Sequence, residues 1–302
     1  MRRPLLVLSA LGLVATLALG QAEGSGEPAG SARLAVAAEE KTPAEPVVRP
    51  ELLDGRVFVA YYGTVGTPVL GVLGESAPED AMARVQRAAA PYRRNGLPAQ
   101  PVFELIVTIA DATPGPDGDY NHDVPVAAVR RWVEAARASG ALLVLDIQPG
   151  RADFPSVVKR WAWALREPHV GLAIDPEWRM HGSQVPGRVI GAVATWEVNA
   201  TSQWLEALVE AHDLPQKLFL VHQFRRDMLR GPHPVRDRRF LAEIQHVDGF
   251  GTPGEKLATY AAVARPREFR MGFKLFYDED RPRLTAAQVL RIRPRVDFVS
   301  FQ

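Results

Sequence analysis

The stretch Val170-Gly171-Leu172-Ala173-Ile174-Asp175-Pro176-Glu177-Trp178 decides the fold. Its apolar run reads as a strand buried on both faces, the kind found in parallel sheets. It stops abruptly in two carboxylates and a tryptophan. Pro176 has no N–H to give to a ladder, so regular pairing is expected to end there. Asp175 and Glu177 are two residues apart and project to the same side in extended geometry. Two carboxylates on one side of a buried strand end disfavour each other's ionised form, so one is expected to keep its proton near neutral pH. General acid catalysis needs such a group. The structural alternative is that Asp175 caps the next segment and Glu177 pairs with one of the many arginines.

Outward from this stretch, strand-like and helix-like runs alternate. Upstream strands are expected over 57–62, 102–109 and 141–148, and downstream ones over 217–223, 242–250, 269–277 and 296–301. Helices are expected over 78–92 with Ser76 as N-cap, 125–138 stopped by Gly140, 154–166, 195–213, 253–263 behind Thr252, and 285–292 capped by Thr285. A short strand is expected within 188–193 and a partial helix within 225–240. Eight strands with helices in most gaps over about 250 residues define an α/β protein, a (β/α)8 TIM barrel whose eighth helix is absent. Residues Pro50 to Leu53 are placed to cover its bottom. An open doubly wound sheet is the alternative, but no G-x-G-x-x-G follows the first strand.

The first 50 residues read differently. Arg2 and Arg3, the apolar Leu5 to Leu19, and Ala18-Leu19-Gly20 have the form of a signal peptide over residues 1–20. Residues 21–50 are rich in Ala, Glu, Gly and Pro and read as a flexible, disordered linker, leaving 51–302 as one barrel domain. A secreted protein is expected, with an uncleaved N-terminal anchor as the alternative. Loss of Arg2 and Arg3 would take the formal net charge from +1 to −1, with no basic block for nucleic acid and no membrane span remaining. There is no cysteine, hence no disulfide framework. No motif points to a nucleotide, and no cofactor is expected.

In a barrel, active sites lie where the strands end. Those ends carry Tyr61, Tyr62, Asp111, Asp146, Gln148, Asp175, Glu177, Trp178, His222, Gln223, Asp248, Lys274, Tyr277, Ser300 and Gln302. Aromatic faces beside carboxylates suit sugars, whose C–H faces stack on rings while hydroxyls bind acids and amides. Each residue also has a plainer reading: Asp111 and Asp248 as turn formers, His222 as a satisfied core histidine, Lys274 as an ion-pair partner, and Tyr61, Tyr62, Trp178 and Tyr277 as packing.

Asp175-Pro176-Glu177 on the fourth strand resembles the Asp-x-Glu element of the family 18 chitinases and family 25 lysozymes, barrel glycosidases whose Glu is the general acid. The resemblance covers three residues and the fold. The longer D-x-x-D-x-D-x-E pattern is not met, since Val170 and Ala173 hold its earlier positions, and Tyr61 and Tyr62 stand where family 25 has an acid. The resemblance implies a glycoside hydrolase acting on a bacterial or environmental polysaccharide. Glu177 would be the acid, Asp175 would raise its pKa, and Asp146 would be the second carboxylate. Tyr61, Tyr62, Gln148, Trp178, His222, Gln223, Lys274, Tyr277 and Gln302 would contact a carbohydrate or cell-wall glycan. Lys274 on the seventh strand speaks against a nucleophile there. Two alternatives stand beside this. One is a metal-dependent hydrolase drawing on Asp111, His122, Asp146, Asp175, Glu177, His222 and Asp248. The other is a barrel that binds glycan without catalysis.

Overall fold

The structure is a computed structural model, and it describes residues 51–302 apart from Asp54. The expected signal peptide and linker lie outside the described residues. The strands are β1 (Phe58–Gly63), β2 (Gln100–Ala110), β3 (Leu142–Ile147), β4 (Val170–Ile174), β5 (Lys217–His222), β6 (Leu241–Val247), β7 (Arg270–Leu275) and β8 (Val296–Phe301). Each pairs in parallel with the next, and β1 pairs with both β2 and β8, so the sheet closes into an eight-stranded barrel. The open-sheet alternative is thereby excluded.

The helices are α1 (Pro78–Ala89), α2 (Val126–Ser139), α3 (Phe154–Arg160), α4 (Ala162–Leu165), α5 (Thr195–Ala211), α6 (Pro253–Val263) and α7 (Ala286–Val289). Thr252 and Thr285 start α6 and α7 with reciprocal capping boxes to Glu255 and Gln288. Gly140 ends α2 in the left-handed region at φ 72°, where a side chain would be strained.

Several expected boundaries move. Ala77, not Ser76, is the N-cap of α1, because Pro78 takes the first helical position and no side chain caps it. The single helix expected over 154–166 breaks at Trp161, whose indole N–H turns inward to Thr108 Oγ1 at 2.9 Å. Residues 225–240 form no α-helix. Only Arg226–Met228 coil into a 3-10 turn, since Gly231, Pro232 and Pro234 follow closely. Leu229–Arg230 instead pairs in parallel with Val193–Ala194, which is the short strand expected near 188–193.

Alternation along each strand sorts side chains into two cores. Outward residues pack against the helices. Inward residues such as Phe58, Val102, Val144, Leu220, Ile244 and Phe298 fill the lower barrel as one apolar cluster, which Leu53 joins from below. Gly171 belongs to this packing, for a Cβ there would come within 2.6 Å of the Leu218 carbonyl oxygen. The upper barrel, toward the C-terminal strand ends, is filled by polar side chains.

Candidate active site at the C-terminal end of the barrel

Counting inward positions upward gives Tyr62 on β1, Glu104 on β2, Asp146 on β3, and Asp175 just beyond β4. The same count gives His222 on β5, His246 then Asp248 at the top of β6, Lys274 on β7 and Ser300 on β8. All nine are buried. The strand register brings them together: Tyr62 lies opposite Glu104, His222 opposite His246, and Lys274 opposite Ser300.

His222 organises the centre. Its Nδ1 lies 2.9 Å from Asp248 Oδ2 and its Nε2 2.9 Å from Glu104 Oε1. Burial alone would lower its pKa, but the hydrogen bonds to Asp248 and Glu104 outweigh burial and hold it well above the ordinary value. Burial pushes Glu104 upward too, yet His246 and His222 overcome that and keep it well below the usual range. Asp248 is likewise held down against burial by its bond to His222. The centre is therefore a histidine held between two carboxylates, one on each ring nitrogen.

Above it, Asp175, Glu177 and Asp248 converge, with one carboxylate oxygen from each within 4.8 Å of the others. Burial first, then the charge of Glu177, raises Asp175 well above its usual value. Burial, then Asp248, pushes Glu177 up to about 7. The expected repulsion within Asp-Pro-Glu is thus present. Asp175 also acts as N-cap of the Pro176–Trp178 turn, accepting from Glu177 N at 3.4 Å, so both readings of this aspartate hold at once. Glu177 and Trp178 are partly exposed at the rim.

Other expected site residues are placed differently. Asp146 accepts from Tyr62 Oη at 2.9 Å and is not one of the three converging acids; burial raises it to about 6. Lys274 Nζ stands 3.4 Å from the Tyr62 ring centroid, inside the barrel. Tyr61 points outward because it adjoins the inward Tyr62. It packs in the outer core against Phe301 and meets the exposed Tyr277 edge-on, so Tyr61 does not line the carboxylates. Gln148 is diverted to the backbone N–H of Ala110. Gln223 is diverted to Gln245 and the Arg225 carbonyl. Gln302 is held by its backbone, donating to Leu275 O and accepting from Tyr277 N. Asp111 and His122 pair at 2.7 Å on a hairpin where Asn121–Asp123 folds back antiparallel on β2, apart from the buried acids and histidines.

Glu104 and His246 were not anticipated. β2 runs past the rim, so its polar end at Asp111 misdirects attention from Glu104, which sits at barrel level opposite Tyr62. A lone carboxylate inside the apolar run Pro101–Ala110 was the available signal. His246 lies two residues before Asp248 and so shares its face.

An α/β barrel whose upper interior holds four carboxylates, two histidines and a lysine, with a fifth carboxylate, Glu177, at its rim, is the class that fold and site define. No protein-family model matches the chain, and no curated protein matches it. Among solved structures it is similar to tryptophan synthase of Mycobacterium tuberculosis at 18% identity, covering 82% of this chain and 83% of that one, with a TM-score of 0.38. It is also similar to dihydropteroate synthase of Burkholderia cenocepacia at 16% identity, covering 82% and 86%, with a TM-score of 0.35. At these values the likeness carries no argument about chemistry, and the barrel rests on its own strand pairing.

Proposed function

We propose that the barrel is a hydrolase of glycosidic bonds with Glu177 as general acid. One observation carries this reading: Glu177 and Asp248 lie within 4.8 Å of each other, yet their surroundings drive them to opposite protonation states. Two carboxylates so divided supply an acid and a base or nucleophile at the same pH. Glu177, partly exposed and protonated near neutrality, donates to the leaving oxygen. Asp248, ionised and fixed by His222, faces the sugar carbon or its attacking water. Burial, with the charge of Asp248, keeps that proton in place. Asp146 gives up the role of second carboxylate to Asp248, because Tyr62 holds it elsewhere. Trp178 beside Glu177 offers an aromatic face for a sugar ring.

The same reading places the protein outside the cytoplasm, on a polysaccharide, because of the leader-like residues Arg2 to Gly20. The test is reducing-sugar release from bacterial and environmental polysaccharides by the full chain and by Glu177→Gln. Release that vanishes in the variant supports the reading. Equal release by both, or none from any glycan, overturns it.

A further inference from the structure

Beneath the converging acids lies a second group that the glycosidic reading does not use directly. Glu104, His222 and His246 are each fully buried, and one donor atom from each lies within 4.8 Å of the others. His222 Nε2 meets Glu104 Oε1 at 2.9 Å, whereas His246 Nδ1 stands 3.6 Å from that oxygen, too far for a hydrogen bond. His246 Nδ1 and Glu104 Oε2 are both buried without a hydrogen-bond partner. An unpaired buried polar atom costs about 1–3 kcal/mol, and two on neighbouring members of one cluster call for an explanation. The ion triad Asp248–His222–Glu104 accounts for His222 but for neither orphan.

The outward-turned ring nitrogens are arranged as an occupied metal site requires. His222 Nδ1 is held by Asp248 Oδ2 at 2.9 Å, and His246 Nε2 by Ser300 Oγ at 3.0 Å. A metal-binding imidazole characteristically has its far nitrogen fixed by such a partner, which sets the tautomer and the ring orientation. The neighbouring strand makes room for it. A Cβ on Gly272 would come within 3.0 Å of His246 Cδ2, so this interior position admits only glycine without displacing the ring.

We infer that Glu104, His222 and His246 bind one divalent transition-metal ion. Two imidazoles and a carboxylate suit zinc, and likewise cobalt, iron or manganese, rather than calcium or magnesium, which prefer all-oxygen shells. Binding replaces the proton that His222 Nε2 shares with Glu104, so one proton leaves as the ion enters. The ion would complete His246 and Glu104 and would fix Asp248 through His222. The inference stands whether or not the substrate is a glycoside.

The test measures the ion itself. Full-length protein is stripped with a chelator, reloaded with Zn2+ or Co2+, desalted and assayed for bound metal, visible Co2+ absorption and melting temperature. One ion per chain, low-symmetry Co2+ bands and a rise in Tm are expected. Ser300→Ala, which leaves all three ligands present, should weaken binding about 10–100-fold. His246→Asn should abolish the Co2+ bands, while His122→Asn on the exposed hairpin should leave them unchanged. Wild-type protein that retains no ion and shows no thermal shift overturns the inference. So does full retention by a folded His246→Asn variant.

Discussion

Tyr62 donates from Oη to Asp146 Oδ2 at 2.9 Å, and this bond is the one hydrogen bond to the Asp146 carboxyl group among the described residues. Tyr62→Phe would leave both of its oxygens unpaired in the barrel interior. A loss of about 1–3 kcal/mol is expected by urea denaturation. Adding Asp146→Leu should recover part of that loss. Strictly additive losses would show that the two do not act as a pair.

The proposed role of Glu177 as general acid has a pH signature. Its carboxyl titrates near 7 and must be protonated to act, so kcat/KM should fall as the pH rises through about 7. Glu177→Gln should lower turnover by about 10²–10⁴-fold and remove the titration from whatever activity remains. A variant with the wild-type pH profile would exclude Glu177 as the acid.

At the opposite end of the barrel, Glu243 is buried in a cavity of about 360 Å³ that also touches Asp237, Arg267 and Arg270. Burial, then the charge of Asp237, pushes it up to about 8. Unfolded, it would titrate near 4.3. The folded state therefore binds the extra proton, and stability is lost progressively as the pH rises from about 4 to about 8. Glu243→Gln should match wild type at pH 4 and exceed it by about 2–5 kcal/mol at pH 8.5. Thermal melts at the two pH values decide this, and a difference independent of pH would contradict it.

Lys256 and Asp280 form a fully buried pair at 3.0 Å. Lys256 also donates to the carbonyls of Gly249 and Lys274, while Asp280 accepts from Gly251 N and Phe276 N. Together they fasten the loops after β6 and β7 beside the site. Removing one partner leaves the other charge buried, so Lys256→Met should cost about 3–5 kcal/mol, and Lys256→Met/Asp280→Leu clearly less. Chemical denaturation of the three proteins tests this. A double variant as unstable as the single one would refute it.

The barrel was legible because each strand is a short apolar run with its polar residue at one end, and helix signals such as Thr252, Thr285 and Gly140 fall between them. Asp175 and Glu177 were legible for the same reason. What escaped depended on register. Whether Tyr61 or Tyr62 faces inward, and whether β2 crosses the rim at Glu104 or at Asp111, follows from how neighbouring strands align. That alignment is a long-range property that no local pattern carries. Gln148 and Gln223 were ambiguous in sequence because an amide at a strand end serves equally well as a lining group or as a bond to a neighbouring backbone, the bond each makes here.

The overshoot of β2 bears on how anything reaches the mouth. Beyond Leu105, its last position paired with β1, five more residues continue as strand, and the last three of them, Thr108–Ala110, meet Asn121–Asp123 folding back on them. Ile106 and Thr108 still pair with Asp146 and Ile147 of β3, so about 7 Å of main chain, Ile109 and Ala110, stands past the barrel ladder beside the opening, held by its pairing with Asn121 and His122. A loop in that place would lose conformational freedom whenever a ligand pressed on it. A paired wall has little left to lose, so the direction of approach is set before the ligand arrives.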